Sequence, residues 1–276
     1  MLRKILIGLD GSPYSESGIT AGIELAKSYD AALAGLAIVD EPGIEHHLAG
    51  APAGAIHYAE KEKQNKLEDA RKKSKQFLDR FKSLCEKESV RYELLLRTGS
   101  PFKIIIEESK TVDLAIIGIK TFYHYETQVS PGETLKKVLD ETATPVLALP
   151  QKAGPPENVL LTYDGSVQAA KAIRMRILLT KKLPLCYTVL NVNEDMEEGQ
   201  YLVERLAKYL RSHDIDSETL VLPGSPGKVI LETARKLQPV HVVLGAYSHS
   251  SLREWLVGST ADALIKDGTI PLFIYH

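Results

Sequence analysis

Short apolar runs alternate with amphipathic segments along the chain, and the whole pattern occurs twice. KILIGLD (4–10) and NVLLTYD (158–164) are apolar runs that end at a turn, and AALAGLAIV (31–39) and LCYTVLNV (185–192) follow as second runs. Continuous apolar runs of this length are typical of parallel strands covered on both faces. Each half of the chain is therefore predicted to begin with two neighbouring buried strands.

Three further apolar runs complete each half. They are residues 91–97 and 217–223, 113–119 and 241–247, and 145–150 and 271–276. Between the runs, apolar residues recur at helical spacing, as in 13–28 and 166–181. Five strands alternating with four helices predict an α/β fold, with two tandem doubly wound domains that each have a five-stranded parallel sheet flanked by helices.

The repeat can be followed through matching motifs. Gly99-Ser100-Pro101 matches 224–226 at an offset of 125, whereas the Asp-Gly-Ser at 10–12 matches 164–166 at an offset of 154. The first half therefore carries about 29 extra residues between 40 and 90, and its Gly- and Ala-rich part, 41–60, predicts a mobile loop beside the strand ends. The proline-rich segment 150–156 separates predicted domains at 1–150 and 157–276.

Composition and charge limit the kinds of molecule that the protein is expected to bind. The chain of 276 residues has 34 basic and 36 acidic residues, a net charge of −2, and two cysteines. Such a balance predicts neither a nucleic-acid nor a membrane partner, and no apolar run is long enough to span a bilayer. The cysteines, one in each half, have no metal-ligand spacing, so we expect a cytoplasmic protein without a bound metal.

A candidate anion site follows the fourth strand of the second half. Gly245 ends the strand, and Gly258-Ser259-Thr260 opens the next helix, where unpaired N–H groups and a partial positive charge suit a phosphate. Ser248 offers a further hydroxyl donor. The alternative is that Ser259 or Thr260 simply caps the helix.

Asp164 is the other candidate at this edge of the sheet, because it follows the first strand of the second half. Its carboxylate can accept hydrogen bonds from a ribose or an adenine group. The alternative, about equally favoured, is that Asp164 caps the helix after it within Asp-Gly-Ser.

Together these motifs resemble the universal stress protein family in its tandem two-domain form. The resemblance is carried by ILIGLDGS and LLTYDGS, the Gly-Ser-Pro before the third helix, DLAIIG and HVVLG, and the closing strands that begin with proline. It implies an adenine-nucleotide alpha-hydrolase-like fold and ATP or AMP as ligand, with or without Mg²⁺. Nucleotide-binding members carry G-x2-G-x9-G-[ST], which is present here with serine at its second position.

The resemblance also implies roles for individual residues. Asp164 would meet the adenosine and the backbone around Val192 the adenine edge. The phosphates would be held by the motif residues Gly245, Ser248, Gly258 and Ser259, with Thr260 beside them.

The first half departs from this pattern. Counted from Gly118, the last glycine of the motif is Gly132, one residue later than the spacing requires. It is followed by Glu133 instead of a serine or threonine. A carboxylate about 4 Å from a phosphate costs roughly 4 kcal/mol at an effective dielectric near 20. We therefore predict that the first half binds nucleotide weakly or not at all. Tyr123, with its neighbours His124 and Tyr125, could either stack on a base or cover the end of the sheet.

The function predicted from the sequence is a nucleotide-linked stress-response switch with its site in the second domain. No catalytic motif is present, so the chain is at most a weak ATPase. The alternatives are a dimeric scaffold that binds no nucleotide and a slow ATPase timer. We expect a homodimer, or an internal pseudo-dimer whose two domains pack face to face, and a protein partner that the sequence does not identify.

Overall fold

The computed structural model describes residues 2–48, 56–121, 123, 133–180, 183–246 and 258–276. Ten strands lie in these residues: β1 (Lys4–Leu9), β2 (Ala32–Val39), β3 (Tyr92–Thr98), β4 (Leu114–Gly118), β5 (Val146–Leu149), β6 (Asn158–Thr162), β7 (Cys186–Val192), β8 (Ser217–Leu222), β9 (Val240–Gly245) and β10 (Leu272–Tyr275). They coincide with the apolar runs of the sequence to within a few residues at each end.

Helices connect the strands of both halves. Within the described residues they are α1 (Pro13–Tyr29), α2 (Glu41–Leu48), α3 (Ile56–Lys87), α4 (Pro101–Ser109), α5 (Glu133–Glu141), α6 (Val167–Thr180), α7 (Met196–Arg211), α8 (Pro226–Lys236) and α9 (Ser259–Asp267). None of these described helices is long and apolar enough to cross a membrane. The α/β prediction is confirmed.

All ten strands belong to one continuous sheet. Its order is β3-β2-β1-β4-β5-β10-β9-β6-β7-β8, and neighbouring strands run parallel within each half. In each half the first strand lies between the second and the fourth, so the order reverses beside it. Such a reversal opens a crevice at the carboxyl ends of the strands, where α/β sheets bind ligands.

The two halves meet edge to edge. β5 and β10 pair antiparallel, with Phe273 opposite Leu147. The expectation of face-to-face packing was therefore wrong. Each half ends in a strand with an open edge, and pairing these edges satisfies their backbone N–H and C=O groups. The apolar pattern of a strand shows that its faces are buried and carries no information about its edge.

Buried side chains form a core on each face of the sheet, and both cores extend through both halves. One core contains side chains of α1, α3, α6 and α7, and the other contains side chains of α4, α5, α8 and α9. The apolar stripe of α3 faces the protein interior, since Leu67, Ala70, Leu78 and Phe81 are buried. The halves thus share their hydrophobic cores as well as their sheet.

The inserted segment is helical where the structure describes it. A loop was expected over 41–60, but α2 begins at Glu41 and α3 at Ile56. Asp40 caps α2, because the Gly43 N–H donates to its Oδ1 at 3.1 Å, and Pro42 lies in the first turn. The ammonium of Lys63 on α3 pairs with the carboxylate of Glu45, which ties the two helices together.

Candidate functional site

A cleft of about 1360 Å³ lies at the carboxyl ends of β6, β7 and β9. It is the crevice beside β6, where the strand order of the second half reverses. Six of the seven residues that the sequence predicted for the site line it: Asp164, Val192, Gly245, Gly258, Ser259 and Thr260. The seventh, Ser248, lies outside the described residues.

The walls of the cleft are apolar. Leu190 and Leu244 are almost fully buried at the ends of β7 and β9, and Ile230 of α8 is 3% exposed. Val192, the last residue of β7, is half-buried. A concave apolar wall of this kind takes a flat hydrophobic group, with polar groups at its rim fixing the orientation.

Asp164 lies at the rim of the cleft, two residues after the end of β6, and it is exposed. The Ser166 N–H donates to its Oδ1 at 2.9 Å, which closes a local turn. Ser166 in turn caps α6, because its Oγ accepts from the Ala169 N–H at 3.1 Å. Asp164 therefore shapes the turn, Ser166 holds the helix cap, and the Asp164 carboxyl is presented to the cleft.

The N-terminus of α9 also opens into the cleft. Its N-cap is Gly258, and none of the described side chains caps the helix. The alternative in which Ser259 or Thr260 is the cap is therefore wrong, because both residues lie inside the first turn. The first N–H groups of a helix have no intrahelical acceptor, and they bring a partial positive charge to this rim. This end of the cleft suits an anion.

Gly245 has a packing role at the edge of the cleft. A Cβ built on it would lie 2.5 Å from the backbone nitrogen of Ala169 and 2.6 Å from the carbonyl carbon of Gln168. The first turn of α6 therefore approaches β9 only because residue 245 lacks a side chain. Gly118, its first-half counterpart, would meet Tyr14 of α1 in the same way, at 2.6 Å.

Charged side chains from the first half complete the cleft. On α5 they are two lysines and two carboxylates, Lys136, Lys137, Glu133 and Asp140. The Lys136 ammonium pairs with the carboxylate of Asp262 on α9, which also lines the cleft. Hydrogen bonds from Lys136 and then Lys266 hold the pKa of Asp262 below its usual value, so this carboxylate stays charged. Sequence reasoning missed both α5 lysines, because only the edge-to-edge packing of the halves brings them here.

The equivalent edge of the first half is differently built. Asp10 is 6% exposed, and its Oδ1 accepts from the Ser12 N–H at 2.9 Å. Glu133 is the first residue of α5, as the sequence indicated. Tyr123 is 1% exposed, so of the two alternatives it covers the sheet end, whereas Gly132 lies outside the described residues.

Comparison with known proteins gives the same assignment for both halves. Residues 1–150 and 156–276 each match the model of the universal stress protein family. The universal stress protein Slr1230 of Synechocystis sp. is 22% identical over 187 residues, which is 67% of this chain and 65% of Slr1230, so just under two thirds of that relative is matched.

Solved structures are similar over nearly the whole chain. A universal stress protein from Archaeoglobus fulgidus has a TM-score of 0.74 at 17% identity, covering 99% of this chain and 97% of that one. The functionally unknown protein PA1789 of Pseudomonas aeruginosa has a TM-score of 0.65 at 14% identity, covering 99% of this chain and 92% of that one. The fold is therefore shared across both halves, and the chain belongs to the universal stress protein family as a tandem member.

Proposed function

We propose that the second half binds one adenine nucleotide, ATP or AMP, and that its occupancy is the signal of a stress-response switch. The observation that carries this proposal is the N-terminus of α9, which has no side-chain cap among the described residues and opens into an apolar cleft. An uncapped helix start next to an apolar wall suits a ligand with a phosphate at one end and a flat base at the other.

Each part of a nucleotide finds suitable chemistry in the cleft. The base fits against Leu190, Val192 and Leu244, and the ribose hydroxyls lie within reach of the Asp164 carboxylate at the rim. The phosphates are matched by the N–H groups and hydroxyls at the start of α9, where Ser259 is exposed. Volume is sufficient, since ligand pockets usually measure about 300–1,000 Å³.

Adenine nucleotides are known ligands elsewhere in the family. One solved universal stress protein is in complex with cAMP, and one from Arabidopsis thaliana has AMP bound, with TM-scores of 0.32 and 0.35 to this chain. Those ligands are facts about those two proteins. For the present chain the ligand is inferred from its own cleft.

The test is the nucleotide content of the freshly purified protein. Denaturation followed by anion-exchange chromatography should release about one adenine nucleotide per chain. Ser259→Glu should abolish this, because a carboxylate in the first turn of α9 repels the phosphate; a charge pair at about 4 Å costs roughly 4 kcal/mol at an effective dielectric near 20. The matched control is Ser28→Glu, which adds the same charge on an exposed position of α1 and should retain the nucleotide.

Other outcomes separate the remaining functions. Two nucleotides per chain would contradict the assignment of the site to the second half alone. None, together with no heat on titrating ATP and Mg²⁺, would refute nucleotide binding and leave a dimeric scaffold. Recovery of ADP from added ATP, lost in Asp164→Ala, would add slow turnover to the binding function.

A further inference from the structure

The strand registers allow the two halves to be compared position by position at the cleft. Gly8 pairs with Leu36 between β1 and β2, and Thr162 pairs with Leu190 at the same place between β6 and β7. In the second half, Thr162 and Leu190 line the cleft. The first-half counterpart of the cleft therefore lies over Gly8 and Leu36.

That counterpart position holds the side chain of Tyr123. A Cβ built on Gly8 would lie 2.2 Å from the phenolic oxygen of Tyr123 and 3.5 Å from the ring carbon that bears it. The hydroxyl thus lies directly against the backbone of β1, in space that only a glycine leaves open. Tyr123 is 1% exposed and belongs to the same buried cluster as Leu36.

Two more walls of the cleft have counterparts in the cluster around the tyrosine. Ile230 and Leu244 line the cleft, and the residues at their positions in the first half are Ile105 and Ile117. Both of these are 1% exposed and belong to the Tyr123 cluster. The apolar pocket is therefore present in both halves, and in the first half a phenol ring occupies it.

The aspartates that follow the first strand of each half also differ in exposure. Asp10 is 6% exposed, whereas Asp164 at the corresponding position is exposed at the rim of the cleft. The first half is closed at the edge where the second half is open.

We propose that the first half retains a ring-binding pocket whose ligand is Tyr123 of the same chain. Without the tyrosine side chain this pocket accepts a small planar ring, either a phenol or an adenine nucleoside. The adenine class rests on the function proposed above, whereas the phenol follows from the tyrosine itself. The chain thus has one half that responds to ligand and one half that is self-occupied.

Replacing the tyrosine by a free ring tests the proposal. In Tyr123→Ala, p-cresol, the free analogue of a tyrosine side chain, should raise the melting temperature, while leaving that of the wild type unchanged. Calorimetric titration with adenosine should count one more site per chain in the variant than in the wild type. Because the test counts the increment over the wild type, its outcome does not depend on whether the second-half site takes up adenosine.

Tyr187→Ala is the matched control, because Tyr187 is also buried but packs on the opposite face, in the second half. It should gain no adenosine site. If p-cresol stabilises Tyr123→Ala no more than the wild type, the pocket is refuted. If adenosine adds no site, the adenine class is refuted.

A second pair of variants tests the placement of the ring in a chain that keeps its core. Gly8→Ala should lower the melting temperature of the wild type, because the new Cβ collides with the phenolic oxygen. In Tyr123→Phe, which lacks only that oxygen, Gly8→Ala should cost little. Equal losses in the two backgrounds would show that the ring lies elsewhere and would overturn the proposal.

Discussion

Gly245 illustrates how a residue at a ligand-binding edge can be required for packing. Its missing side chain lets the backbone of α6 approach within 2.5 Å of where a Cβ would be. From the sequence, a glycine at a strand end leaves room either for a ligand or for another backbone, and the sequence does not show which of the two approaches it. In the structure it sets the position of α6, and α6 in turn positions Asp164 through the turn that precedes it.

Gly245→Ala should therefore destabilise the protein by about 1–3 kcal/mol, since backbone atoms of Gln168 and Ala169 cannot swing away as a flexible side chain would. The denaturant midpoint measures the loss. Gly154→Ala is the matched control, because a Cβ on Gly154 meets nothing within 4 Å, and it should be neutral or slightly stabilising. Equal midpoints for the two variants would contradict the packing role of Gly245.

His241 is a buried histidine on β9, 5% exposed. Burial, and in second place the charge of Arg176, holds the pKa of its imidazole well below 6.5, so the ring is neutral in the folded protein. The unfolded chain takes up a proton on this residue as the pH falls below about 6.5. Because this proton favours the unfolded state, the free energy of unfolding falls as the pH drops below about 6.5. Above that pH, His241 causes no such loss of stability.

We expect about 1 kcal/mol of stability to be lost through His241 between pH 7.5 and 5.5. In His241→Gln the free energy of unfolding should vary less across this range than in the wild type. Val243→Ala, which is also buried on β9 but removes no titratable group, should leave the wild-type slope unchanged. If His241→Gln kept the wild-type pH dependence of the free energy of unfolding, the buried, neutral state of this imidazole would be contradicted.

At the scale of elements, the sequence predicted the strands well and the helix ends less well. Buried strands of an α/β sheet are continuous apolar runs, so their positions follow from hydrophobicity alone. The cap of α9 was not predictable in this way, because Gly258 and Ser259 are both common at a helix start and only backbone geometry separates them. The helix at 41–48 was missed because the Gly and Ala content of 41–60 favoured a loop, although Asp40 followed by Pro42 also suits a helix start.

The contact between α5 and α9 was also beyond the sequence, because it joins helices from different halves. Lys136 and Asp262 occupy equivalent positions, 126 residues apart, and pair across the axis that relates the halves. If the two domains were identical, a charged side chain at this position would face the same charge in the other domain, and the two would repel each other. Divergence of the repeat has placed opposite charges there.

Lys136→Glu should lower the free energy of unfolding by about 1 kcal/mol, because it replaces this partly exposed attraction by repulsion. Adding Asp262→Lys should recover part of the loss, by restoring an opposite pair. Lys228→Glu provides the control, since Lys228 is highly exposed and 3.9 Å from Glu232, and it should cost less. Thermal melts of the three variants and the wild type measure these losses, and no recovery in the double variant would refute a specific contact between Lys136 and Asp262.

At the scale of the whole molecule, the continuous sheet makes the two halves one unit. The repeat in the sequence predicts two domains, and hydrophobic patterning alone treats them as separate. The antiparallel pairing of β5 with β10 and the two shared cores cross the boundary between them. Damage to the core of one half should therefore be transmitted to the other.

Phe81→Ala tests this coupling, because Phe81 is fully buried in the first half, with its ring against Gly35. Removing the ring should cost about 3–5 kcal/mol and lower the melting temperature by roughly 10 °C. Hydrogen exchange of the β7 backbone amides, in the second half, and far-UV circular dichroism should report the same loss of stability, whereas Leu178→Ala, at an exposed position, should leave both unchanged. Exchange of the β7 amides at the wild-type rate would mean that the halves unfold independently, and ligand bound in the second half could then not stabilise the first.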